Sequence, residues 1–371
     1  MWISQLDLVG WRNHHQSSLL FQQGVNVLIG PNGQGKTNVV EAVRFLAHLS
    51  SHRVSGSAAL IGDGSDQATI YGTFAHGTRD VSVGITLKRS GTNEATVSGN
   101  SAKLAEVPRW VSAVMFAPED SSLVRGEPGF RRQFLDDLVV ATSPAMAGVY
   151  ADFDKVLRQR NSLLKSLRTA SRTADTSTLE VWNASFVALA AEIVYHRMAS
   201  WGYVARHISD AYEKLASGQL ITASYQAKGF DADLGMTRAE LENQLAQAIL
   251  EVSSAERDRG LTLVGPQRDD IDLFIDGRPA RTHASQGETW SLALSLRLGV
   301  AAWLRQERSS GDPIIILDDV FAELDAHRRA RLVSVVSDYE QLLVTSAVEE
   351  DLPAELTGVS FDVSQGQVTR R

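Results

Sequence analysis

Three stretches of the chain differ in the spacing of their apolar positions. Up to about residue 110 the pattern is that of strands. Val25, Asn26, Val27, Leu28 and Ile29 form a short, mostly apolar run. Val81, Val83, Ile85 and Leu87 alternate with polar or small residues, as a strand buried on one face requires. Arg89 to Asn93 then supplies turn residues for a hairpin return. From about 111 to 260 the spacing becomes three and four. Met146, Val149, Tyr150, Phe153, Val156, Leu157, Leu163, Leu164 and Leu167 predict one long amphipathic helix. Trp182, Phe186, Leu189, Ile193, Trp201, Val204, Ile208 and Tyr212 predict a second. The polar segment from Thr169 to Thr178 reads as the loop of an antiparallel helical arm. The heptad pattern does not extend past these turns, and no internal repeat is visible, so an extended coiled coil is not expected. After about 261, Ile314 to Leu317 and Leu342 to Val344 are runs of buried-strand length, with Leu332, Val333, Val335 and Val336 marking a helix between them.

The expected fold class is therefore α/β. Residues 1–110 and 261–371 would form one head, and residues 111–260 a helical insertion.

Composition narrows the setting. With 371 residues, 43% apolar and 22% charged, the chain reads as a soluble globular protein. It has no cysteine, which excludes disulfides and thiolate metal sites and suits a reducing cytosol. Met1 to Gln5 lack a basic start and an apolar run, and the stretch from Trp290 to Leu304 is broken by Arg297. The expectation is a cytoplasmic protein with no membrane partner. A net charge of −8 weighs slightly against nucleic acid, although a local patch, not the sum, sets the field at a surface.

The strongest chemical signal is Gly30, Pro31, Asn32, Gly33, Gln34, Gly35, Lys36 and Thr37, which fits G-x-x-x-x-G-K-[ST] between an apolar strand and a helix carrying Val39, Val43, Leu46 and Ala47. Glycines let successive N–H groups face one anion, and the helix N-terminus adds its dipole. Lys36 is expected at the β- and γ-phosphates of ATP, with the Thr37 hydroxyl on Mg²⁺. Asp318, at the end of the Ile314 run, is the expected second Mg²⁺ ligand. Asp319 is the carboxylate expected to orient or deprotonate the attacking water. The nine histidines lack metal-ligand spacing beside carboxylates, so no metal other than Mg²⁺ is expected.

Ser285, Gln286, Gly287 and Glu288 precede a long apolar helix and resemble the signature motif of ABC ATPases. That motif caps the γ-phosphate of ATP held by a partner subunit. Glu323, Leu324 and Asp325 resemble the D-loop, with Asp325 its acid. Thr345 and Ser346 stand where many members carry a switch histidine. Nearly end to end the chain resembles the RecF family of bacterial DNA-repair ATPases. The residues that carry this are Trp11-Arg12-Asn13, the Gly30–Thr37 loop with Asn38, Glu41 and Ala42, and Ser51-His52-Arg53. Phe116 to Asp120, Leu261 to Asp270, Ala284 to Glu288 and Leu317 to Phe321 complete the set.

The resemblance implies an ABC-type head with a short arm, ATP-dependent homodimerisation, and binding to duplex DNA and single-strand/duplex junctions. It further implies slow DNA-stimulated ATP hydrolysis, cooperation with RecO and RecR mediators in loading recombinase, and roles in replication and the SOS response. It suggests nucleotide contacts for Arg12 and Asn13, and leaves the roles of Glu119, Arg268, Asp269 and Asp270 open. The departures are Asp319 where most ABC ATPases have Glu, Gln267 where His is expected, and the missing switch histidine. The rival class, an ABC-type transporter ATPase, is disfavoured by that last absence, by the Ser-Gln-Gly-Glu form of the signature and by the long insertion. For DNA, Lys155, Arg158, Arg160, Lys165, Arg168 and Arg172 form a run without acids between Asp154 and Asp175, with Arg125, Arg131 and Arg132 as rivals. Without aromatic–basic alternation, duplex backbone binding is expected over base stacking.

Overall fold

The computed structural model describes residues 1–54, 56–169, 177–216, 218–307 and 311–371. Numbered in chain order, the strands are β1 (Trp2–Trp11), β2 (His14–Leu20), β3 (Gly24–Ile29), β4 (Gln67–His76), β5 (Arg79–Lys88), β6 (Glu94–Val97), β7 (Asn100–Ala102), β8 (Ala113–Phe116), β9 (Ile221–Gln226), β10 (Asp270–Ile275), β11 (Arg278–Pro279), β12 (Ile314–Asp318), β13 (Gln341–Ser346), β14 (Val359–Ser364) and β15 (Gln367–Arg370). The helices are α1 (Lys36–His48), α2 (Ser121–Arg125), α3 (Pro128–Thr142), α4 (Met146–Thr169), α5 (Ser177–Leu215), α6 (Arg238–Arg259), α7 (Ala280–His283), α8 (Gln286–Glu307) and α9 (Ala326–Val336). Two compact units result, one of Met1–Ser121, His207–Gln219 and Ser285–Arg371, the other of Ser122–Arg206 and Leu220–Ala284.

The first unit holds two sheets. One is antiparallel, in the order β2-β1-β4-β5-β6-β7, and along β4 buried positions alternate with half-buried ones. The other runs β15-β14-β3-β13-β12-β8, parallel except for the terminal hairpin. Its central strands β12 and β13 are buried at every residue, which explains their continuous apolar runs. One core joins Leu6, Leu8, Ile70 and Ile85 of the antiparallel sheet to Val39, Val43 and Leu46 of α1 and to Ile314, Ile316 and Leu343 of the parallel sheet. The apolar face of α1 thus fixes the loop in front of it.

The second unit packs helices around Phe153 and Val156 of α4, Phe186, Ala190 and Val194 of α5, and Leu241, Leu245 and Ile249 of α6. A three-stranded sheet, β11-β10-β9, belongs to the same unit. The arm of two helices expected from periodicity omits α6. That helix carries few large apolar residues, and its clearest signals are the caps: a Thr237–Glu240 capping box and Gly260 in a left-handed turn at φ 65. Residues 170–176 of the expected loop, Arg172 among them, lie outside the described residues.

The unit boundaries differ from breaks at 110/111 and 260/261. β8 belongs to the first unit because its buried residues complete the parallel sheet beside β12. Residues up to Ala284 belong to the second because β10 pairs with β9. His207–Gln219 returns to the first unit, where Ile208 lies so close to Gly299 of α8 that a Cβ there would meet its Cα at 2.7 Å. Among the described residues no helix is long and apolar enough to cross a membrane.

Candidate nucleotide-binding site

The loop of residues 30–35 joins β3 to α1. Gly33 and Gly35 take φ 81 and 115, where a side chain is strained, and a Cβ on Gly35 would lie 2.8 Å from both Asn13 Oδ1 and His14 Nε2. The first turn of α1 carries no acid, so its N–H groups and dipole end present an unopposed positive field. Lys36 is buried, and its ammonium donates to the carbonyls of Gly30 at 2.7 Å and Pro31 at 3.2 Å. A cation held by loop carbonyls beside a helix N-terminus is the arrangement that receives a phosphate.

The loop is braced from two sides. Buried His14 links the Gly35 carbonyl (Nε2, 3.1 Å) to Ser17 (Nδ1, 2.9 Å), and burial holds its pKa below the usual value. In the β14–β15 turn, the Gly366 amide donates to the Gln34 carbonyl at 2.9 Å and the Gln365 amide to Gln34 Oε1 at 2.7 Å. Sequence reading missed His14, Ser17 and this turn, because neither carries a local motif.

Asn13 donates to the Gln34 carbonyl at 3.0 Å and accepts from Asn38 at 2.7 Å, so it lies against the loop. Arg12 turns instead to Glu41 of α1, with bonds of 2.9 and 2.7 Å. Burial works to raise the pKa of Glu41, but bonds from Arg12 and Ser51 bring it below the ordinary carboxylate value. The scattered segments Trp11-Arg12-Asn13, Asn38, Glu41 and Ser51-His52-Arg53 thus come together beside the loop.

At the other end of the site, Asp318 closes β12 and is buried. Its Oδ1 accepts from Thr37 at 3.0 Å and from Thr345 at 2.6 Å, so residues 281 positions apart in sequence meet. Burial drives its carboxyl up to about 6, the Thr345 bond opposes this, and the charge of Asp319 adds to it. Thr37 and Asp318 are hard oxygen donors, and a dication would relieve the buried carboxylate, so the pair fits Mg²⁺. Asp319 follows in a left-handed conformation at φ 50. Glu119 is exposed on the turn after β8, and its charge also adds to the upward push on Asp318.

Ser285 and Glu288 form a reciprocal cap at the start of α8: the Ser285 amide donates to Glu288 Oε2 at 2.7 Å and the Glu288 amide to Ser285 Oγ at 3.3 Å. Glu288 Oε1 also accepts from Gln219 at 2.6 Å, so its carboxylate serves the cap. Ser285 and Gln286 are exposed, and the Arg328 guanidinium covers Gly287 so closely that a Cβ there would sit 2.2 Å from Nη2. Asp325 caps α9 through the Arg328 amide at 2.9 Å and pairs with its side chain.

Of the arm cations, Lys155, Arg158, Lys165 and Arg168 are exposed on α4. Arg160 is not available to DNA. It is 1% exposed, bonded to Glu256 at 2.5 Å, Thr262 at 2.7 Å and Asn183 at 2.8 Å, and lies over the Phe186 ring. Two residues past Arg158, it sits about 200° around the helix, on the core face. Arg131 is also withdrawn, buried against Asp270 at 2.6 Å. Arg125 and Arg132 donate to the carbonyls of Ala284 and Asp269. The Arg268, Asp269 and Asp270 bonds stay within the second unit: Arg268 to the Thr262 carbonyl, Asp269 to Tyr225 and Arg197, Asp270 to Arg131.

The family model described as the RecF/RecN/SMC N terminal domain matches residues 2–365. The chain is 40% identical to the DNA replication and repair protein RecF of Leifsonia xyli subsp. xyli over 381 residues, covering 99% of each. It is 42% identical to that of Streptomyces avermitilis, with 100% of each covered. A solved structure of the recombination mediator protein RecF-ATPrS in the RecFOR pathway superposes with TM-score 0.88 at 24% identity, covering 100% of this chain and 98% of that one. These relatives match nearly end to end, with the candidate site inside the matched length: the chain is a member of the RecF family.

Proposed function

We propose that this protein is an ATP-switched DNA clamp of recombinational repair, cytoplasmic, and a homodimer when ATP is bound. Its relatives are named DNA replication and repair proteins, not transporter subunits. The observation that carries the reading is the Thr37–Asp318 bond, which places a phosphate-binding loop and a buried acid at one point. Lys36 would neutralise the β- and γ-phosphates, while the α1 N-terminus binds the chain of phosphates. Mg²⁺, held by Thr37 and Asp318, would supply charge neutralisation between those phosphates. Asp319 would orient or deprotonate a water, making the protein a weak, DNA-stimulated ATPase. The exposed Ser285 and Gln286 at the start of α8 support a composite site, with each signature presented to the nucleotide of a second copy.

Duplex DNA or a single-strand/duplex junction is the proposed second ligand, gripped through phosphates. The patch is Lys155, Arg158, Lys165 and Arg168. It extends towards the end of α6, where a Cβ on Gly260 would lie within 3.5 Å of both Lys165 and Arg168 and where Arg259 is exposed. Family membership supports cooperation with RecO and RecR mediators as part of this reading.

Sedimentation with ATP and a short duplex tests the reading, beside Lys36→Met and Ser285→Arg. Wild type is expected to dimerise and both variants to remain monomers. A wild type that stays monomeric and ignores DNA overturns the clamp.

A further inference from the structure

Thr345 and Ser346 close β13, where many ABC ATPases carry a switch histidine. In the parallel pairing of β12 with β13, Thr345 is the register partner of Asp318. Its side chain is 1% exposed. A buried hydroxyl must satisfy its own hydrogen-bonding capacity, and this one does so twice. It donates to Asp318 Oδ1 at 2.6 Å and accepts from the backbone amide of Asp319 at 2.9 Å.

Those two partners are the two acids of the site. Asp319 adopts φ 50, a left-handed conformation that is strained for a non-glycine residue and persists only where its surroundings hold it. The bond to its amide is such a hold, since it fixes the peptide that sets the direction of the Asp319 side chain. The bond to Oδ1 fixes the carboxylate of Asp318 at the oxygen that also accepts from Thr37. Ser346, the next residue, is turned to other work, its hydroxyl donating to the Val348 carbonyl at 2.7 Å.

We propose that Thr345 is a positioning residue that sets both acids of the nucleotide site, Asp318 through its carboxylate and Asp319 through its backbone amide. The inference rests on the ATP-site reading given above. Thr345 thus acts on the protein's own acids. The metal end of the site is then preset before nucleotide arrives. The hydroxyl, not the bulk of the β-branched side chain, carries the role. Valine keeps the shape and strand propensity of threonine and removes only the bonding.

The test compares wild type, Thr345→Val and Thr345→Ser in binding a fluorescent N-methylanthraniloyl ATP, with EDTA or with Mg²⁺ titrated in, alongside ATP turnover. Thr345→Val is expected to keep its EDTA affinity within about twofold, need about tenfold more Mg²⁺ for tight binding and lose about tenfold in turnover, the loss of one hydrogen bond to a charged group. Thr345→Ser is expected to restore all three. Equal Mg²⁺ requirement and turnover for Thr345→Val and wild type overturn the proposal, as does a serine variant that behaves like valine. Should the valine variant fail to fold, hydrogen exchange in wild type decides, with the Asp319 amide expected to be protected without nucleotide. A freely exchanging Asp319 amide overturns the proposal. A wild type that binds no ATP, yet protects this amide, overturns instead the nucleotide reading beneath it.

Discussion

In the first unit the buried polar side chains Lys36, Glu41, Asp318 and Thr345 gather around the loop of residues 30–37. In the second unit Arg160, Arg197, Glu256 and Asp269 are buried within helix packing. The partners differ in kind. Arg160 meets Glu256 at 2.5 Å, and Arg197 meets Asp136 at 2.6 Å and the Pro266 carbonyl at 2.7 Å. Each of these cations is matched to a carboxylate of its own unit, so its charge is consumed by the fold. Lys36 donates to two backbone carbonyls, which orient the ammonium without neutralising it. A buried cation set among carbonyls keeps its charge for an anion. One set against a carboxylate does not.

The comparison breaks most sharply at the Arg160 pair. Glu256→Ala would leave the buried Arg160 without its carboxylate and the Leu263 amide without its acceptor, at a cost of about 3–5 kcal/mol in a chemical melt, and should leave ATP affinity unchanged. A loss of nucleotide binding in the folded variant would mean that the second unit's buried charge also serves the site. The converse change is Lys36→Ala, expected to weaken ATP binding about a hundredfold by calorimetry while leaving the melt within about 1 kcal/mol. A strongly destabilised Lys36 variant would move this lysine to the structural side of the contrast.

Acidification should affect the first unit through His52. Its ring nitrogens are buried and find no hydrogen-bond partner among the described residues. Burial first, and then the charge of Arg44, bring its pKa from 6.5 down to about 3, with Arg297 and Arg53 adding and Glu41 opposing. Between those values the unfolded chain binds the extra proton. Stability is therefore full above about 6.5 and is lost as pH falls towards 3. The difference in stability between wild type and His52→Asn should follow that window. A difference that does not vary with pH would show that His52 is not neutral in the folded state.

The smallest effects are expected on the exposed face of α4. Lys165→Glu should weaken duplex binding severalfold and lower the salt dependence by about one or two phosphate contacts, with no change in the melt. Equal DNA affinity in that variant and in Arg168→Glu would remove α4 from the DNA surface.

Much of the site was legible in local sequence because its chemistry depends on short-range geometry. The glycines at 33 and 35, Lys36 and Thr37 must be adjacent to wrap one anion, and the apolar runs before Lys36 and Asp319 had to be buried strands of a parallel sheet. The helices α4 and α5 and the strands β3, β5, β12 and β13 were likewise set by spacing over one or two turns of chain. Tertiary structure alone decided the rest. Arg158 and Arg160 look alike as sequence, and only the packing of α4 against α6 and Phe186 put one in water and the other on Glu256. The same holds for Thr345, which reads as an ordinary strand residue until the register of β13 against β12 sets it opposite Asp318. The hold of Gln365 and Gly366 on Gln34 crosses 331 residues of chain. Local spacing carries no record of such contacts, because burial and register are properties of which surfaces meet, and those are chosen by the fold as a whole.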